Sequence, residues 1–207
     1  MALNTKVALL AANVIYDDTD AAYKAFEILF KERGKTFLSF DYFRERRPYL
    51  FWNEYRKMGI DSPTRTFQGE FLERFDDQEC PLTPFIAETL ESLNQKGIRC
   101  VVFGMQSENQ LASMLASFGI CSYVDRIVGD VCGTTEEVAQ KIQWVCDSMP
   151  VPCAARYASV VCRTAEGALS AQMACAEPFV FMPHFEPVFG WRYAHVRSLS
   201  ELPNVLK

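Results

Sequence analysis

Lys6-Val-Ala-Leu-Leu-Ala-Ala-Asn-Val-Ile-Tyr-Asp17 decides how the chain is read. Its first half is an apolar run of strand length, and Asn13 and Asp17-Asp18 follow as turn and helix-start residues. Over 22–33, the apolar residues Ala22, Ala25, Phe26, Leu29 and Phe30 share one helical face, and Gly34 supplies a stop after Lys31 and Arg33. An aromatic-rich segment then runs to about Cys80, where Pro81 and Pro84 introduce a second amphipathic helix over 85–96, ended by Gly97. From there the periods alternate. A buried strand over 98–103 precedes a helix over 108–118 with Leu111, Met114, Leu115 and Phe118 inward. A short strand at 126–128 leads to a helix over 136–148 with Val138, Ile142 and Val145 inward. A strand at 157–162, an alanine-rich helix at 165–175, a strand at 179–182 and a terminal helix at 198–206 complete the order. This alternation predicts an α/β fold, a Rossmann-like parallel sheet with helices on both faces, plus a small all-helical insertion. Residues 1–16 and 81–207 form the expected core, and 17–80 the insertion.

The chain has 207 residues, 49% of them apolar, with a formal net charge of −5. Chains of this length bury roughly 70% of their unfolded surface, enough for one core and a small second lobe. The apolar fraction excludes disorder, and no run approaches the roughly 20 apolar residues of a membrane span. Acidity argues against a nucleic-acid partner, which calls for a basic face. Eight cysteines include no CxxC pair, and two histidines complete no recognisable zinc spacing. Cys100 and Cys162 sit inside strand-like runs, where a free thiol packs as a small hydrophobe. Unpaired thiols and an N-terminus running straight into a strand predict an intracellular, reducing compartment, either cytoplasmic or an organellar matrix, and not secretion.

The opening stretch resembles the first strand of the haloacid dehalogenase (HAD) superfamily and its loop into a helical cap. Pro81-Leu-Thr-Pro-Phe-Ile-Ala-Glu-Thr-Leu-Glu-Ser-Leu-Asn-Gln-Lys-Gly97 resembles the return from cap to core. Ser117-Phe-Gly-Ile120 and Tyr123-Val-Asp-Arg-Ile-Val-Gly-Asp130 resemble the segment after the second strand, and Ser198-Leu-Ser-Glu-Leu-Pro203 the C-terminal helix. The likeness covers nearly the whole chain as a scaffold.

The resemblance implies four chemical motifs, and all four are degenerate here. The family attacks phosphorus with an aspartate ending strand one and uses a second aspartate, two residues on, as acid/base. Alignment by the strand before and Asp17 after puts Leu10 at the first place and Ala12 at the second. Asn13 and Val14 replace the glycine and threonine that follow. Phe103 stands where a serine or threonine would bind the phosphoryl group. Glu136 stands where a lysine is expected, with Lys141 about five residues late. Arg163 and Gly167 occupy the places of the acidic magnesium ligands, so no magnesium and no other cofactor is expected.

Other residues carry competing readings. Asp18-Thr-Asp20 offers a second Asp-x-Asp register, but it would leave 6–10 an unexplained strand and no connection to carry a cap. Arg163, with Thr164 opening a helix, either binds a small anionic ligand or is consumed in a salt bridge to Glu166 or another carboxylate. The aromatics at 37–55, including Tyr49, Phe51, Trp52 and Tyr55, serve either the cap's own core or a protein interface. Phe189 and Trp191, in the aromatic loop between His184 and His195, extend that candidate interface. Loss of every chemical position with retention of scaffold predicts a catalytically inactive HAD-like subunit that binds a protein partner in a larger assembly. Two alternatives stay open: a phosphatase-like hydrolase with unorthodox residues, and a sensor of phosphorylated ligands without turnover.

Overall fold

The computed structural model describes residues 6–75, 80–149, 155–183 and 191–206. Strand β1 (Val7–Ala11) enters the middle of the sheet and is buried along almost its whole length. One helical turn, α1 (Ala12–Ile15), follows at once. Helices α2 (Thr19–Glu32), α3 (Phe40–Arg46), α4 (Trp52–Lys57) and α5 (Thr64–Leu72) come next, with no strand among them. The chain then alternates through α6 (Ile86–Gln95), β2 (Arg99–Phe103), α7 (Glu108–Ser117), β3 (Arg126–Val128), α8 (Thr135–Asp147), β4 (Ala158–Cys162), α9 (Ala165–Met173) and β5 (Glu177–Phe181). A short strand β6 (Ala194–Val196) and helix α10 (Leu202–Val205) close it.

Among the described residues, six strands form one parallel sheet in the order β3-β2-β1-β4-β5-β6. This is the doubly wound arrangement expected from the alternating periods. Continuous apolar runs such as Val7-Ala-Leu-Leu10 belong in strands covered on both faces. Ala8, Leu10, Cys100 and Val102 pack under α6 and α7, whereas Val7, Leu9, Val101 and Val160 pack under α8 and α9. The strand order reverses between β1 and β4, so the carboxyl ends of these two strands open a crevice where such sheets hold ligands.

The residues between β1 and β2 build a separate apolar cluster from Ala22, Phe26, Leu29, Phe30, Phe43, Tyr55, Phe67 and Phe71. Helix α2 supplies one wall because its apolar residues recur every three or four positions. One expectation from sequence changes here, and one holds. The segment 183–195 was read as a loop, but Ala194–Val196 adds a sixth strand beside β5. It is short and mostly exposed, so no apolar run announces it. The segment Val14–Tyr16 does not end a strand, since α1 occupies most of it, and Asp18-Thr-Asp20 therefore opens a helix rather than closing a strand. Among the described residues, no helix is long and apolar enough to cross a membrane.

Candidate functional site

The crevice at the β1/β4 junction is roofed by the helices between β1 and β2 and encloses a cavity of about 190 Å³. Its floor is the carboxyl end of the sheet, with Ala11, Ala12 and Asn13 after β1, Phe103, Gly104 and Met105 after β2, and Cys162, Arg163 and Thr164 after β4. Its roof includes Phe26, Arg47, Trp52, Tyr55, Gln68 and Phe71.

The structure moves the strand-tip assignment by one residue. Leu10 is fully buried in the core under α6 and α7 and is absent from the cavity wall, because side chains alternate along a strand and Leu10 shares the face of Ala8. Ala11 is the residue that faces the crevice, and Asn13, two residues on, faces it as well. Ala12 lies on the wall between them. The alignment was anchored on Asp17, whereas the one-turn helix α1 shifts the count. Neither Ala11 nor Asn13 supplies a carboxylate.

Phe103 is still in the ladder, paired opposite Ala11, and its ring belongs to the core under α8 and α9. Gly104 is the first residue clear of the strand. A Cβ at Gly104 would lie 2.9 Å from the Cβ of Ala12, so a serine or threonine hydroxyl there would require the floor to move. Glu136 is a correction of a second kind: it is exposed on the first turn of α8 and lines no part of the cavity. Thr135 and Val138 take that wall instead, since helical spacing turns Glu136 outward. Lys141 is turned away too, lying 4.4 Å over the ring of Trp144.

Arg163 is buried and donates from Nη1 to Asp17 Oδ1 at 2.7 Å, so the carboxylate it meets is Asp17 rather than Glu166. Thr19 Oγ donates to the same Asp17 oxygen at 2.6 Å and accepts from both Arg163 and Arg47. Arg47 in turn pairs with buried Asp18. Two arginines and Asp17 thus close on one threonine hydroxyl, and Asp18 joins the group through Arg47. Burial alone would raise the Asp17 carboxyl, but the Arg163 charge and the Thr19 bonds outweigh it and hold its pKa at about 2. Thr164 caps α9, its hydroxyl accepting from Gly167 N–H at 3.1 Å. Gly167 is packed so closely on Cys162 that a Cβ would sit 2.9 Å from the cysteine Cβ, leaving no room for an acidic side chain.

Glu166 accepts from Trp52 N–H at 3.0 Å and from the Thr135 hydroxyl at 3.5 Å. Its pKa is raised because burial outweighs those bonds. Gln68 bonds Gly133 twice, its amide donating to the carbonyl at 3.1 Å and its carbonyl accepting the N–H at 2.6 Å. Sequence reading missed Asp17, Arg47, Gln68 and Gln106 as parts of the site. The contacts that bring them into the site reach across 28 to 146 residues.

The candidate interface divides. Tyr55 is 5% exposed and its ring stacks on Phe26 at 4.4 Å, and Trp52 packs edge-on to Phe67 and Phe71. Tyr55 is consumed by the cap's own core, because a lobe this small needs it to exclude water, whereas Trp52 packs on that core and stays partly exposed. Tyr49 and Trp191 remain partly exposed and meet edge to face at 5.4 Å. Phe51 is also partly exposed. Phe189 and His184 lie outside the described residues, and His195 is an exposed residue of β6.

The family model of haloacid dehalogenase-like hydrolases matches residues 13–138, more than half of the chain. The chain belongs to that family. No curated protein matches the chain in sequence. Among solved structures, this HAD-family chain is similar to a predicted phosphatase from Clostridium acetobutylicum, with a TM-score of 0.74, 15% identity and 97% of each chain covered. It is similar too to a HAD-like hydrolase of Streptococcus pneumoniae, at 0.72, 14% and 99% of each chain. A third is CbbY of Rhodobacter sphaeroides, solved with xylulose-1,5-bisphosphate, at 0.65, 18% and 96% of each chain. At these identities the likeness establishes the fold and leaves the chemistry to the residues present.

Those residues do not fit the family's magnesium ion. Magnesium requires anionic oxygens in near-octahedral geometry. The carboxylates on the described cavity wall are Asp18 and Glu166. The first is bound by Arg47 and the second by Trp52 N–H and Thr135. The Arg163 guanidinium stands at the end of β4, where a cation would be repelled. Cys162 is not a substitute nucleophile, for burial pushes its thiol up to about 12, and the reactive thiolate is absent at neutral pH.

Proposed function

We infer that this chain is a catalytically silent HAD-family protein that serves as a structural, protein-binding subunit of a larger assembly. One observation carries the reading: Ala11 stands at the strand tip where the family's chemistry begins, over a floor whose charges already neutralise one another. Attack on phosphorus requires an oxygen lone pair at that tip, and alanine has none. The two nearest aspartates are poor replacements. Asp17 and Asp18 each spend an oxygen on an arginine, which ties up lone pairs that an attack would need.

The closeness of Gly104 to Ala12 and of Gly167 to Cys162 supports the same reading, because the space for two further motifs is filled. Residues acting as a unit lose nearly all rate when one is removed, by roughly 10⁴- to 10⁶-fold in a hydrolase studied this way. A fold outlives such losses because a core asks only for apolar pattern and volume. The partner side of the reading rests on Tyr49, Phe51 and Trp191, partly exposed aromatics of the kind that anchor interfaces.

Purified protein with millimolar magnesium is expected to release no phosphate from a broad panel of phosphoesters. Turnover that Asp18→Asn abolishes would overturn the reading. Affinity purification from the native source is expected to bring down a second chain at fixed stoichiometry, and that yield drops in Tyr49→Ala with Trp191→Ala. A chain that runs as an isolated monomer in native extract counts against the subunit role.

A further inference from the structure

Helix α8 covers the sheet with Ala139, Ile142, Val145 and Cys146, which are buried, and leaves Trp144 on its outer side. Trp144 is 48% exposed and belongs to none of the apolar clusters of the described residues. Lys141 Nζ lies 4.4 Å and the Arg126 guanidinium carbon 4.8 Å from the centre of its ring. Arg126 opens β3, the strand that starts the sheet order, and donates to the Ser148 hydroxyl at 2.6 Å just beyond the end of α8. Among the described residues neither cation pairs with a carboxylate. Two acids close to them in sequence are directed elsewhere or stay in water: Asp125 accepts the Cys100 N–H at 2.8 Å, and Asp147 is exposed. Two like charges thus converge on one indole within about a Debye length of each other, and an anion arriving beside the ring relieves their repulsion.

We propose that Arg126, Lys141 and Trp144 form the docking surface for an acidic segment of a partner protein. The proposal rests on the reading of the chain as a protein-binding subunit. The indole supplies an apolar anchor, and the two cations meet carboxylates of the partner. Charge complementarity selects this occupant. The chain as a whole carries −5, so a nucleic acid is repelled by the rest of the molecule, and two cations neutralise too few phosphates to offset that. A small free anion would use the cations and leave the indole in water. Trp and Arg are also the residues that most often carry the binding energy of protein interfaces. None of the three lines the crevice cavity, so this surface is separate from the old cleft.

The test titrates the full chain into fluorescently labelled peptides and reads anisotropy. A peptide of alternating glutamate and leucine is the probe, and the peptides with glutamine or lysine in place of glutamate are its controls. The acidic peptide is expected to bind more tightly than either control and to weaken as salt rises, because exposed charges are screened. Lys141→Gln is expected to weaken it about two- to fivefold, the span of one exposed ion pair. Trp144→Ala is expected to weaken it about tenfold or more, as loss of an interface anchor does. Trp144 lies outside the apolar clusters, so the melting temperature of Trp144→Ala is expected to stay near that of wild type. Equal affinity for the acidic and glutamine peptides, affinity unmoved by Trp144→Ala, or no binding of the acidic peptide at millimolar concentration overturns the proposal. Tighter binding of oligothymidylate or of phosphatidylserine vesicles overturns it too. Self-association of the chain that Trp144→Ala abolishes gives the surface to a second copy and likewise overturns it. The subunit reading fails separately: phosphatase turnover or an isolated monomer in native extract strikes that reading, whereas a second chain that co-purifies equally with wild type and Trp144→Ala strikes this surface alone.

Discussion

The lobe above the crevice and the crevice itself are held together by different physics. In the lobe, Phe26 touches Phe37, Trp52, Tyr55 and Phe71 with ring centroids between 4.4 and 5.7 Å, and no charged group takes part in those contacts. In the crevice, Asp17, Arg47 and Arg163 meet around the Thr19 hydroxyl, and Asp18 pairs with Arg47. The first kind of attraction is non-directional and tolerates rearrangement if volume is kept. The second is directional and fails when one member leaves, because its former partner stays buried. The lobe is a packed body, while the crevice holds a set of ties between lobe and sheet.

The largest way to break this comparison is to remove the ring at the centre of the lobe. Phe26→Ala deletes a 3% exposed aromatic with many neighbours, and such truncations cost about 3–5 kcal/mol. Urea denaturation should show that loss in its midpoint. A cost near zero would mean that the aromatic cluster is not the source of the lobe's stability.

Removing one tie should cost less. Gln68 is 2% exposed and satisfies both backbone groups of Gly133, so Gln68→Leu leaves a buried N–H and carbonyl unpaired. Each such group costs about 1–3 kcal/mol. The Arg163–Asp17 pair gives a sharper test, because it carries a pH signature. Asp17 ionises more readily folded than unfolded, so its contribution is complete above its unfolded pKa near 3.8 and disappears as pH falls towards about 2. Wild type should lose stability over that window more steeply than Asp17→Asn. Parallel curves for the two proteins would show that the pair contributes nothing.

This division also explains what was legible in the sequence. The sheet could be read because runs such as Val7-Ala-Leu-Leu10 and Cys100-Val-Val-Phe103 are local, and alternation with helices constrains their order. The aromatic lobe could be read as apolar, though its residues could not be sorted into core and surface. Tyr49 ends a short helical turn and is partly exposed, whereas Tyr55, six positions on, lies inside α4 and is buried. The register of the strand tip was not legible: the sequence reading put Leu10 there, whereas β1 ends at Ala11, since nothing in Ala11-Ala-Asn13 marks where pairing stops and α1 begins. The ties were illegible. Arg163 and Asp17 are separated by 146 residues, and a lone sequence carries no signal that they meet.

The smallest effect concerns Glu166, which belongs to both regions: it leaves the sheet side on α9 and grips the lobe at Trp52 N–H. Burial raises its pKa, only partly offset by the bonds from Trp52 and Thr135. A carboxyl raised on folding stabilises the fold while protonated, so its contribution is present below the unfolded value near 4.5 and is lost as pH climbs through the folded value. Glu166→Gln keeps a carbonyl for Trp52 N–H and can turn its amide to the Thr135 hydroxyl, but cannot ionise. The variant should therefore match wild type at pH 4 and melt about 1–3 °C higher at pH 8, the shift that a change under 1 kcal/mol gives a chain of this size. A lower melting temperature at pH 8 would mean that the ionised carboxylate strengthens its hold on the lobe by more than its burial costs. Glu166 would then join Asp17 and Asp18 as a charge the crevice needs.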